Sequence, residues 1–268
     1  VALTARGARL TRQHRQEQLS IRARFLQELL RLFGLLDPAR LDATTEPWLT
    51  AMVPLLRQHW QRSAAASAAY LALFLEAETG RPAPEPRLPR FTPERARAAQ
   101  TSLLVTGPVK IRNLTQAGQP LASAVRVAQS TVAGAAGRHV LDGGRAVLLD
   151  PEPLDRSGVR YARVTDPDPC WFCAMMASRG YVYLSEESGG REASDRFAGP
   201  GMFKFHDYCG CTLEPTLDPD APLPEDNARF ADLWVTATRG LHTDAARRAF
   251  RRALEGRPLP GDPILAAA

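Results

Sequence analysis

Cys170-Trp171-Phe172-Cys173 and, after a gap of 32 residues, His206-Asp207-Tyr208-Cys209-Gly210-Cys211 hold all four cysteines of a 268-residue chain. Random placement scatters cysteines. A metal centre gathers them, because a zinc ion takes four soft ligands brought together from two short turns. A C-x-x-C turn aims two thiolates at one point about 2.3 Å from each sulfur. The second stretch then offers three donors for the two places left. In extended chain Cys209 and Cys211 share a face, and Gly210 between them permits a tighter turn. His206 and Cys209 are spaced for one turn instead. The residues favour a structural zinc site of four thiolates, Cys170, Cys173, Cys209 and Cys211, with His206 beside it or as a substitute ligand.

Other readings of the same cysteines stay open. Four cysteines allow three disulfide pairings. The chain carries no secretory signal pattern, which favours a reducing compartment over disulfides. A thioredoxin-like pair at Cys170 and Cys173 leaves the second stretch unexplained, and free buried thiols leave the clustering unexplained. A catalytic zinc keeps an open position and needs a nearby general base. Neither H-E-x-x-H nor H-x-E…P-C-x-x-C occurs. The expectation is a closed site whose binding energy staples two loops of a segment with little core of its own.

Outward from these stretches the chain reads as helical. Residues 4–36 form one long helix with Leu10, Ile21, Phe25, Leu29, Leu30 and Phe33 as its apolar positions. Arginines dominate its first half. They make a solvated face, or a basic arm that touches DNA or a partner through Arg12 and Arg15. A second helix is predicted over 46–77, with Thr45 as cap, Pro47 in the first turn and Pro54 as a kink. Its series Trp48, Met52, Leu56, Trp60, Tyr70 and Phe74 packs against the first helix. Pro82, Pro84, Pro86 and Pro89 mark a linker. Thr92-Pro93 restarts a helix, and Gly107-Pro108 and Gly118-Gln119-Pro120 punctuate it. A further helix is predicted over 121–140. No nucleophile-elbow pattern surrounds its Ser123, Ser130 and Thr131, which read as surface hydroxyls.

Beyond Gly143-Gly144 the pattern changes. Residues 159–164 and 181–184 alternate like strands, 185–201 read as a mobile loop, and 203–205 and 212–213 add short strands. Helices follow over 226–239 and 243–254. The second carries Arg247, Arg248, Arg251 and Arg252, of which Arg247, Arg248 and Arg251 are the candidates for DNA or partner contact. The fold class is therefore mainly α, with long N-terminal helices and a small zinc-stapled α+β C-terminal part. The expected organisation is a helical domain over 1–80, a linker over 81–91, a domain with the Cys/His site over 92–255 and a flexible tail over 256–268.

Composition limits the function classes. Hydrophobic residues make up 44 %, ordinary for a globular protein, and no apolar run is long enough to span a bilayer, so no membrane partner is expected. The net charge of +5 is almost all arginine, since Lys110 and Lys204 are the only lysines. So weak a field is compatible with nucleic acid nearby without demonstrating it.

Several stretches together resemble a tailed-phage family of actinobacterial viruses and prophages. They are Thr101–Pro108, Gly137-Arg138-His139, Val164–Tyr183 with its Cys170/Cys173 pair, Phe205–Cys211 and Ala249–Ala253. Members are described as minor capsid or head-morphogenesis proteins, or as capsid maturation proteases. The paired cysteine motif is also similar to the head-morphogenesis domain of the Mu gpF type (MuF-like). The similarity runs from about residue 95 to 255. It implies a minor virion protein in the head interior near the portal vertex, made in the bacterial host cytoplasm during assembly. It implies portal and capsid or scaffold proteins as partners, several copies at one vertex, and packaged DNA nearby. It also implies that Cys170, Cys173, His206, Cys209 and Cys211 form the shared motif.

The alternative is a peptidase that trims head proteins, which needs a nucleophile and a base in contact or a metal with an open position. Ser178, His206 and Asp207 are candidates, with His139 near Ser130 a looser one. His206 and Asp207 are sequence neighbours, a poor arrangement for an Asp that orients a His ring. No peptidase signature occurs.

Overall fold

The computed structural model describes residues 2–83, 86–149, 160–181, 205–218 and 220–256. Helix α1 (Ala5–Phe33) starts where the Thr4 hydroxyl accepts the Gly7 N–H at 2.9 Å. Glu78 pins this end, accepting from the Leu3 and Thr4 amides and from the Thr4 hydroxyl. Gly7, Thr11, His14, Gln18, Ile21, Phe25, Leu29 and Phe33 form one buried stripe at spacings of three and four. Helix α2 (Leu41–Thr79) returns antiparallel, so Phe33 meets Trp48, Phe25 meets His59 and His14 meets Ser67. It starts before the predicted Glu46. Thr45, expected as its cap, lies inside the helix with its hydroxyl donating to the Leu41 carbonyl at 2.6 Å. Pro47 and Pro54 both lie within it.

Helices α3 (Pro93–Thr106) and α4 (Pro108–Gln116) meet at Gly107, where the predicted break falls. Helix α5 spans Leu121–Leu148 and runs past the predicted end at Val140, straight through Gly143-Gly144. These glycines do not break the helix because α2 lies against them. A Cβ on Gly143 would overlap the Trp60 carbonyl oxygen, and one on Gly144 would overlap the Ser67 hydroxyl. Two helical glycines cost about 1 kcal/mol each, offset by the close approach of α2 and α5.

Phe25, Leu29 and Phe33 of α1, Trp48, Met52 and Leu56 of α2, Leu103 of α3, Ile111 of α4 and Val132 and Val140 of α5 form one core. Residues from both sides of the proline-rich stretch contribute to it. Nearer the other end of the helices the seam turns polar. Gln18 donates to the Ser63 carbonyl at 3.0 Å and accepts from the Ser63 hydroxyl at 2.6 Å. The Ser63 hydroxyl accepts the Gly144 N–H at 2.9 Å. His14 stacks on Tyr70 at 4.3 Å and hydrogen-bonds Ser67 at 2.7 Å.

Burial holds the His14 pKa down at about 3, so the ring is neutral in the fold. The unfolded chain binds more protons here between about pH 6.5 and pH 3, so stability falls as pH drops through that window. The full effect is on the order of 5 kcal/mol. Relative to a His14→Gln variant, the wild type should lose stability steadily from pH 7.5 to 4.5 in denaturant titrations. Parallel pH profiles would show that the buried imidazole is not responsible.

The C-terminal part is built on two antiparallel strands, β1 (Arg160–Val164) and β2 (Thr212–Thr216), with Arg160 opposite Thr216 and Val164 opposite Thr212. Helix α6 (Trp171–Ala177) follows β1, and α7 (Glu225–Ala237) and α8 (Thr243–Leu254) follow β2. Met175, Met176, Phe205, Phe230 and Phe250 pack with Leu71, Phe74 and Leu75 of α2 in a second core. The protein is thus mainly helical with a small two-stranded sheet, as the sequence predicts. The strand expected at 181–184 and the loop expected at 185–201 lie outside the described residues but for Tyr181, as does the expected strand at 203–205 but for Phe205. Nearly all of the tail does too. Among the described residues no helix is long and apolar enough to cross a membrane.

Candidate metal centre

Strand pairing brings the two cysteine stretches together. Val164, where β1 ends, lies opposite Thr212, where β2 begins. The chain that leaves β1 toward Cys170 therefore runs beside the chain that enters β2 from Cys211. Cys170 caps α6, its sulfur accepting the Cys173 N–H at 3.5 Å, and Cys173 lies one turn inside. Across from them Tyr208 takes a left-handed backbone conformation (φ 69°), which turns the chain between His206 and Cys209.

Five donors converge. His206 Nε2 lies 2.9 Å from Cys170 Sγ and 3.3 Å from Cys173 Sγ, and Cys173 Sγ lies 3.5 Å from Cys209 Sγ. Cys170, Cys173 and His206 form one group and Cys173, Cys209 and Cys211 a second, with donor atoms in each within 4.8 Å of one another. Cys173 belongs to both. All four cysteines are free thiols; Cys170 is exposed and the other three are buried.

The thiols and the imidazole of the cluster shift one another's proton affinity in opposite directions. The Cys170 thiol is lowered to about 4, first by its hydrogen bond with Cys173 and then by that with His206. Cys209 is held well below the ordinary thiol range by Cys173 and Cys211, with Arg145 and Arg163 adding to the effect. Cys173 is pushed far up by hydrogen bonding to Cys170, Cys209 and Cys211. Contact with Cys173 lowers Cys211, but Cys209 and burial outweigh it and leave the thiol at about 12. His206 is raised to about 9, chiefly by Cys170. Negative charge thus rests on some sulfurs only because others keep protons. A soft divalent ion displaces such protons and takes up the charge, so the donor set fits a metal ion.

Helix α5 holds the cluster from one side. The Gly134 carbonyl accepts the Tyr208 N–H at 3.2 Å, and Ser130 hydrogen-bonds the Tyr208 hydroxyl at 2.9 Å. A Cβ on Gly134 would come within 2.6 Å of the Tyr208 ring. Arg138 donates to Asp207 at 2.9 Å, and Arg145 donates to the carbonyls of Cys209 and Cys211. The buried guanidinium groups of Arg145 and Arg163 both lie over the Phe205 ring, 3.8 and 4.1 Å from its centre. Sequence reading missed Arg138, Arg145, Asp166 and Tyr208 as parts of this site. Arg138, Asp166 and Tyr208 fall in the stretches that carry the family resemblance, and Asp166 and Tyr208 also neighbour the cysteines, whereas Arg145 carries no such signal.

The remaining sequence-named residues fall elsewhere. The Ser178 hydroxyl donates to the Met175 carbonyl of its own helix at 2.8 Å rather than to His206. His206 Nδ1 lies 2.5 Å from the Asp207 carbonyl oxygen, and the Asp207 carboxylate is engaged by Arg138. His139 neighbours Arg138, while Ser130 bonds Tyr208. Arg12 is exposed. Arg15 is half-buried, donates to the Thr165 carbonyl at 3.3 Å and pairs with Asp226 at 3.5 Å, tying α1 to the C-terminal part. On α8, Ala246, Ala249 and Phe250 face inward, while Arg247, Arg248, Arg251 and Arg252 face solvent. Arg247 pairs with Asp244 and Arg251 with Glu255, and the Arg251 guanidinium lies 5.8 Å from the Trp171 ring centre.

Fold and site define a helical protein with a thiol-rich knuckle clamped onto a long helix. The model of the VG15 protein family matches residues 7–237, and the chain belongs to that family. It is similar to the Gene 15 protein of Mycobacterium phage D29, at 32% identity over 148 residues, 47% of this chain and 52% of the relative. The chain thus matches about half the length of that relative, and the match supports a bacteriophage origin. No solved structure matches the chain.

Proposed function

We propose that this is a minor protein of a phage head that takes part in head morphogenesis, and that its Cys/His centre holds a structural zinc ion. The observation that carries the metal reading is the convergence of four thiols and one imidazole, three of the thiols buried. Bound zinc supplies a closed cross-link and folding free energy. Cys170 and Cys173 would hold it from one side and two of His206, Cys209 and Cys211 from the other. The head reading draws on family membership, on the similarity to a phage protein and on the motif resemblance. In this reading the chain is made in the host cytoplasm and sits in the virion head interior in several copies at the portal vertex. It touches portal and capsid or scaffold proteins. The arginine face of α8, with Arg12 of α1, lies toward packaged DNA, where guanidinium groups suit phosphate contacts.

The test is mass spectrometry of purified heads together with elemental analysis of the purified chain. A few copies per head and about one zinc per chain are expected. A chain absent from purified heads would sink the head reading, and freshly reduced protein without metal would sink the zinc reading.

One contact favours a second reading, a capsid maturation protease. Exposed Cys170 lies 2.9 Å from His206 Nε2, the arrangement of a thiol nucleophile and its base. It replaces the Ser178 candidate, whose hydroxyl is turned away. The two readings compete for the same atoms, since a thiolate inside a closed metal site is not a nucleophile. Head-protein cleavage that stops in a Cys170→Ala phage and persists in a Cys211→Ala phage would favour the protease.

A further inference from the structure

Cys209 and Cys211 lie in a turn outside any helix or strand, so regular hydrogen bonding does not aim their thiols. Two charged side chains from other parts of the fold do. Arg145, in the last turn of α5, is 4% exposed. Its Nη2 donates to the Cys209 carbonyl at 3.0 Å and to the Cys211 carbonyl at 2.9 Å, and its Nε donates to the Cys211 carbonyl at 3.1 Å. Asp142, one turn earlier, holds Nη1 at 2.8 Å, and the Phe205 ring covers the guanidinium. A buried guanidinium is tolerated only with such partners. On the far side, Asp166 Oδ2 accepts the Gly210 N–H at 3.0 Å. Arg145 and Asp166 therefore grip the two ends of one peptide unit, the carbonyl of Cys209 and the amide of Gly210. A Cβ on Gly210 would come within 2.7 Å of the Asp166 oxygen, so a glycine lets this grip close.

We propose that Arg145 and Asp166 are the positioning residues of the metal centre: they hold the Cys209-Gly210-Cys211 turn in its ligating form and couple it to helix α5. The inference rests on the metal reading above. A free turn would lose conformational entropy on binding, and a turn already held open to the ion loses less. Groups that orient metal ligands in this way are worth roughly 10–100-fold in metal affinity. Arginine is needed rather than lysine, because only the planar fork reaches two carbonyls and a carboxylate together.

The test is competition of the full-length chain with a chromophoric zinc chelator, alongside the absorption spectrum of the cobalt(II)-loaded protein. Wild type, Arg145→Met, Arg145→Lys and Asp166→Ala are compared, with folding followed by circular dichroism. Zinc affinity should fall about 10–100-fold in Arg145→Met and Asp166→Ala. The thiolate-to-cobalt and d–d bands should shift, and Arg145→Lys should not restore them. Folded variants with wild-type affinity and an unchanged cobalt spectrum would overturn the assignment. If Arg145→Met does not fold, the half-exposed Asp166→Ala decides the matter alone. A wild-type chain that takes up neither zinc nor cobalt would overturn the metal reading itself, and this assignment with it.

Discussion

With zinc held as proposed, Cys173→Ser should abolish metal binding and unfold the segment around the site, at a cost of about 5 kcal/mol or more. Cys173 is the one donor common to both ligand groups, and it is buried. A serine oxygen is a poor substitute for a thiolate, and the site's other thiols would then crowd without a shared ion. Chelator treatment of the wild type should act the same way, because binding energy at such a site is folding energy. Hydrogen exchange should rise first in residues 160–181 and 205–218. The tertiary structure adds a second region, the last turns of α5, since Arg138 and Arg145 lose their anchors when the knuckle opens. Phe25, Met52 and Leu103 belong to one apolar core and Cys173, Cys209 and Cys211 to the other, so the first core should keep its protection. Equal exchange with and without chelator, in wild type and variant alike, would refute this account.

Gly143→Ala should destabilise the helical body by about 2–4 kcal/mol, although alanine is the better helix former. The added methyl would overlap the backbone carbonyl of Trp60, and a carbonyl in the middle of α2 cannot rotate away as a side chain can. Helices α2 and α5 would have to separate, which also opens the polar seam of Gln18, Ser63 and Gly144. Gly137→Ala on the same helix is the control. Its Cβ would lie 3.1 Å from the flexible Arg22 side chain, so the loss should stay within about 1 kcal/mol. Urea midpoints of the two variants decide this, and a Gly143→Ala protein as stable as wild type would mean that α2 and α5 are packed less closely than described.

Much of the architecture was legible in local chemistry. Apolar residues at spacings of three and four on α1 and α2 recorded which faces are buried, and Phe25, Leu29, Trp48 and Met52 are in the core. Thr92-Pro93 and Gly107-Pro108 marked true helix boundaries. Helix α6 escaped notice because seven residues hold too few turns to show a period. Gly143-Gly144 misled, because a glycine pair that admits a neighbouring helix looks the same in sequence as one that ends its own.

For the site, the sequence alone determined which atoms gather: the clustering of every cysteine beside one histidine is a one-dimensional fact, and metal chemistry makes it readable. Tertiary structure alone decided how they are held. Pairing of β1 with β2 brings residues 170–173 beside 206–211. Arg145 then reaches Cys209 across 64 positions, and Arg15 reaches Asp226 across 211. Nothing in the sequence around either arginine distinguishes it from those on the solvent face of α8. Local propensity and periodicity extend over a turn or two of chain, whereas the partner of a buried charge is chosen by how whole helices and strands pack.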